Sequence, residues 1–104
     1  MSIKKQYLKS RPVCKVALRV PKEAAGDSKT IHVVGDFNQW KTEATPMKPL
    51  KNGDFTCTLE LSTEQQAYEF RYLMDETQWE NDWEADAYVP NVMATENSVI
   101  QLAN

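Results

Sequence analysis

The chain has 104 residues, of which 41% are hydrophobic and 26% charged, and its net charge is −3. That suits one globular domain with its own core. No apolar run approaches the ~20 residues that cross a bilayer, and a mildly acidic chain lacks the positive footprint that phosphate backbones require. Neither a membrane nor a nucleic acid is therefore expected as partner.

The chain opens with MSIKKQYLKSRPV, which is basic but has no apolar h-region and no small-residue cleavage site. A cytoplasmic protein is the expectation. Residues 1–12 form a tail or an edge segment, with Ile3, Tyr7 and Leu8 able to dock, and 13–104 form the domain. VCKVALRV (13–20) alternates: Cys14, Val16, Leu18 and Val20 share one face, with Lys15 and Arg19 on the other. PKEAAGDSK carries Pro21, Gly26, Asp27 and Ser28 and reads as a solvent loop. TIHVV (30–34) is a short β-branched strand that Gly35 ends.

Two prolines follow, then Asn52-Gly53, a hairpin-turn signal. In DFTCTLEL (54–61), Phe55, Cys57, Leu59 and Leu61 face inward. In YEFRYLM (68–74), Tyr68, Phe70, Tyr72 and Met74 take one side and Glu69, Arg71 and Leu73 the other. A polar stretch, 75–87, holds Trp79 and Trp83. NSVIQL (97–102) is the last strand, with Asn97, Val99 and Gln101 facing outward. No segment sustains a 3.6-residue period. The predicted class is all-β, an antiparallel β-sandwich.

Charge is unevenly distributed. Residues 1–22 contain seven Lys or Arg and no acid, whereas nothing after Arg71 is basic. The simplest reading is that the two ends of the chain lie close and neutralise each other. Cys14 and Cys57 are too few for a disulfide framework and lack metal-ligand spacing. They read as buried reduced thiols, with a bridge between adjacent strands as the alternative.

Catalysis requires a constellation of groups, and none is visible. The lone histidine, His32, sits mid-strand with solvent-facing parity. ENDWEAD is rich in carboxylates but lacks the order of a calcium loop. Three glycines make no phosphate-cradling loop. No enzyme activity, metal or cofactor is expected.

What stands out is a set of tryptophans among polar residues: Trp40 after a turn, Trp79 and Trp83 in TQWENDWEAD. An indole presents a flat apolar face that matches the C–H face of a sugar, and flanking amides, hydroxyls and cations satisfy the hydroxyl rim. Aromatic loops serve protein partners as well.

VVGDFNQW, YEFRYLMDETQWEND and ATENSVIQL, in this order, resemble the glycogen-binding domain of the AMP-activated protein kinase beta subunit. They equally resemble the early-set domain that precedes the catalytic barrel of isoamylases and glycogen branching enzymes. The resemblance spans about residues 13–102. It implies an immunoglobulin-like sandwich that binds α-1,4-linked glucan. Trp40 and Trp79 would stack on glucose rings, Arg71 and Asn97 would hydrogen-bond hydroxyls beside Thr95, and Met93 would insert against a ring. Arg71 stands where the kinase domain has lysine, and the turn before Trp79 is one residue longer. The resemblance to branching enzymes makes Trp83 and Tyr88 packing residues and the Asn81-Asp82 and Tyr88–Asn91 segments loop braces. It leaves an alternative: a structural or protein-interaction module, partnering a glycogen-metabolising enzyme or another protein, with a vestigial sugar face.

Overall fold

A computed structural model describes residues 1–103. Alternation in the sequence becomes two antiparallel sheets. In the first, β1 (Ser2–Tyr7), β2 (Val13–Val20), β5 (Phe55–Ser62) and β4 (Lys48–Pro49) lie in the order β1-β2-β5-β4. In the second, β3 (Ile31–Gly35), β6 (Ala67–Met74), β9 (Glu96–Gln101) and β8 (Ala87–Pro90) lie in the order β3-β6-β9-β8, and β7 (Gln78–Glu80) adds to β6.

Register explains the core. Val16 pairs with Leu59, Leu18 with Cys57 and Val20 with Phe55, so apolar side chains line up across β2 and β5. Tyr68, Phe70, Tyr72 and Ile100 meet them from the second sheet. Phe70 and Tyr72 pack edge to face, 5.6 Å between centroids at 83°. The result is the expected all-β sandwich.

Residues 2–7 are a full edge strand, paired from Ser2–Arg19 to Tyr7–Cys14. One of their lysines meets the acidic half of the chain: Lys5 Nζ lies 2.6 Å from Asp86 Oδ2. The Tyr7 hydroxyl accepts a hydrogen bond from Ala103 N at 2.8 Å. The uneven charge distribution is, at least there, local pairing across the sandwich edge.

Cys14 lies opposite Leu61 and Cys57 opposite Leu18. Four residues of offset is about 13 Å along a strand, beyond disulfide reach. Both thiols are free.

Three expectations need correction. PKEAAGDSK is not simply a solvent loop, because Lys22–Ala25 forms one helical turn with Ala25 buried. Ala24 and Ala25 donate to the Pro21 carbonyl, and Asp54 Oδ1 accepts from Lys22 N. Pro and Gly at the ends masked four good helix formers between them, Lys22–Ala25. His32 is half-buried rather than solvent-facing, and its Nδ1 is buried without a partner among the described residues. Residues 45–47 run alongside β3, with a bridge from His32 to Pro46, so that strand flank is not open.

Trp83 does not pack. It is 60% exposed, because its neighbour Asp82 takes the buried place in that turn. Tyr88, also on the surface, does brace the loop through its hydroxyl, which donates to the Asp82 carbonyl at 2.6 Å.

Asp82 is wholly buried and anchors the 81–88 loop. The Tyr72 hydroxyl donates to its Oδ2 at 2.7 Å, and Glu84 N to its Oδ1 at 2.8 Å. Asp82 N donates to Ser98 Oγ, which donates on to Asn81 Oδ1. Burial, followed by the Asp82 charge, holds the Tyr72 phenol well above its usual value of 10.0, so it remains a donor. Tyr72→Phe is expected to leave this carboxylate short of a partner and to cost about 2–3 kcal/mol, read as a lower urea midpoint at unchanged slope.

Candidate functional site

The outer face of the second sheet carries the residues of interest. Glu69, Arg71 and Leu73 point outward from β6, Asn97 from β9, and Trp79 stands on β7 opposite Leu73. Leu73 is buried beneath this surface.

Trp40 is delivered by GDFNQW, each residue of which has a mechanical task. At Gly35, β3 lies close against β6: a Cβ there would collide with the Glu69 carbonyl and lie 2.7 Å from Phe70 Cβ. Asn38, buried, accepts from Gly35 N through Oδ1 and donates through Nδ2 to the Val33 carbonyl and Thr45 Oγ1. Phe37 packs against the core. Gln39 and Trp40 both adopt left-handed φ values, 56° and 57°, which is costly for non-glycine residues and characteristic of functional loops. Asp36 aims the indole. Its Oδ1 accepts from Trp40 Nε1 at 2.9 Å while its Oδ2 accepts from Glu69 N at 2.8 Å.

Trp79 follows a turn in which Asp75 and Glu76 also have positive φ. Asp75 Oδ1 accepts from Lys29 N and Thr30 N, at 2.7 and 3.0 Å, and so fastens the turn to the segment before β3. Trp79 is 37% exposed. The Arg71 guanidinium carbon lies 5.6 Å from its ring centroid, in cation–π range. Arg71 Nε is buried with no acceptor among the described residues.

The third wall is the 91–95 loop. Asn91 Oδ1 accepts from Met93 N, Thr95 N and Thr95 Oγ1, which folds the loop around it. Asn91 Nδ2 donates to Asn97 Oδ1 at 3.0 Å, and Asn97 Nδ2 donates to Glu69 Oε1 at 3.0 Å. One amide hydrogen and one lone pair of Asn97 stay available. Met93 is 76% exposed at the rim.

These elements enclose a cavity of about 580 Å³ lined by Trp40, Arg71, Trp79, Asn91, Met93, Thr95 and Asn97. All six residues singled out from the sequence border it, and Trp83 does not. Asn91 is the lining residue that sequence reasoning missed, having been read only as a brace. Asp36 and Glu69, which orient Trp40 and Asn97, were also missed; the outward parity Glu69 shares with Arg71 was the available signal. Two indoles, a thioether, a guanidinium, two amides and a hydroxyl around one opening offer apolar faces with donors and acceptors between them.

No individual curated protein matches the chain. The family model described as carbohydrate-binding module 48, the isoamylase N-terminal domain, matches residues 22–89, more than half of the chain. The chain therefore belongs to the carbohydrate-binding module 48 family and is a carbohydrate-binding module of the isoamylase N-terminal type.

Proposed function

We propose that the protein binds α-1,4-linked glucan (glycogen, starch-like polymer or maltooligosaccharides) without catalysis of its own, at the cavity between Trp40 and Trp79. The observation that carries this reading is the convergence of both indoles with Arg71 and Asn97 on one opening. Glucose rings stack on the indoles. The Arg71 guanidinium, Asn97 amide and Thr95 hydroxyl meet sugar hydroxyls, and Met93 closes on a ring from the rim. Covering roughly 100 Å² of apolar surface per indole contributes about 2–3 kcal/mol. Two such contacts and a few hydrogen bonds, less the cost of association, give roughly −4 to −8 kcal/mol, or millimolar to micromolar affinity. The free thiols suit a reducing cytoplasm.

The exposed Trp83 indole, outside the cavity, favours a second reading in which a protein partner, such as a glycogen-metabolising enzyme, docks on that indole. The glucan reading is tested by calorimetric titration with maltoheptaose and with a β-1,4-linked glucan of similar length. Binding of the first at micromolar to millimolar concentration, and not of the second, is expected. Failure of maltoheptaose to bind at millimolar concentration overturns the reading.

A further inference from the structure

We infer that the glucan site continues past Trp79 into a second concavity that takes further glucosyl residues of the same chain, an inference that rests on the glucan reading above. The second concavity, about 250 Å³, is lined by Thr42, Glu43, Leu73, Glu76 and Trp79. Trp79 belongs to both cavities, and the strand register shows how it divides them. Arg71 and Leu73 are successive outward residues of β6, and Trp79 pairs with Leu73. Arg71 lines only the first cavity, whereas Leu73 and the turn residue Glu76 line only the second. The indole therefore stands as a partition between two hollows.

The segment after Trp40 joins them on the other side. A third hollow, lined by Trp40, Lys41, Thr42, Glu43 and Ala44, shares Trp40 with the first cavity and Thr42 and Glu43 with the second. The 41–44 segment thus forms a continuous rim from one indole to the other.

The second concavity has the chemistry a pyranose needs. Leu73 provides a buried apolar floor and Trp79 an aromatic wall. Glu43 and Glu76 are exposed, and neither forms an ion pair among the described residues. A carboxylate accepts from two neighbouring hydroxyls at once, and such charge-assisted bonds are the stronger kind. The Thr42 hydroxyl both donates and accepts. A glucan chain lying across the first cavity and leaving it over Trp79 reaches these groups next.

The test compares maltotriose with maltoheptaose, by calorimetry, on the wild-type chain and on a Glu43→Ala, Glu76→Ala double variant whose melting curve confirms the fold. Neither residue lines the first cavity, so maltotriose affinity is the internal reference. Maltoheptaose is expected to bind the wild type about tenfold tighter than maltotriose, beyond the few-fold gain from its multiple registers. In the double variant that ratio should fall to the few-fold statistical level with maltotriose affinity unchanged. A ratio that is the same in both proteins, or a wild type with no gain beyond the statistical level, overturns the second concavity while leaving the first. If neither sugar binds the wild type, the glucan reading falls with it.

Discussion

Trp40→Ala is expected to weaken maltoheptaose binding roughly 30- to 150-fold, the equivalent of about 2–3 kcal/mol of lost stacking, while the domain stays folded. Tryptophans in a core behave otherwise, costing about 3–5 kcal/mol when truncated. Trp40 is set apart by its position. Its ring is half-exposed, its Nε1 is held by Asp36 on the surface, and its backbone carries a positive φ. Removing the ring leaves Asp36 free to meet water, so a stability cost of about 1 kcal/mol or less is expected. Trp83→Ala is the control: an indole 60% exposed but outside the cavity should leave sugar affinity unchanged. Equal losses from both substitutions would place the binding surface elsewhere.

Gly35→Ala is expected to produce the largest loss of stability on the sugar-binding side. Its φ of −171° is ordinary extended backbone, so conformational freedom is not the reason. Space is. The added methyl would meet the Glu69 carbonyl, Phe70 Cβ at 2.7 Å and Phe37 Cε2 at 2.9 Å. The Phe37 ring can turn aside, but the Glu69 carbonyl and Phe70 Cβ are fixed by the backbone of β6, so β3 must move from β6. Overpacking of this kind costs about 1–3 kcal/mol, occasionally more, a large part of the 5–15 kcal/mol available to a typical domain. The same displacement would break the Asp36–Glu69 bond that aims Trp40. A urea denaturation midpoint within error of wild type would contradict this account of the glycine.

The strands were the most legible part of the sequence. In β2, β5 and β6 each side chain's face follows from a period of two, and the register keeps apolar residues opposite one another. The loops carry no such period. Their shapes depend on single side-chain-to-backbone bonds: Asn38 within the turn after β3, Asp75 across to Lys29 and Thr30, Asn91 around its own loop. The positions of Trp40, Trp79, Met93 and Thr95 were therefore expected through resemblance to a family, and periodicity alone would not have joined them. Three expectations failed, of which the one for Trp83 came from resemblance and the one for His32 from period. Ala25 packs in a helical turn that flanking Pro and Gly disguised, and Trp83 lies open because Asp82 occupies the buried site. His32 has the right parity for solvent, but residues 45–47 lie against its strand.

The measurement that bears most directly on the central claim is a maltoheptaose titration followed residue by residue through amide and indole N–H chemical shifts. Saturable shifts are expected for the Trp40 and Trp79 indoles, for Arg71 and for residues 91–97, with β1, β2 and β5 unmoved. Shifts confined to Trp83 and its neighbours, or spread over the opposite sheet, or absent at millimolar sugar, would contradict it.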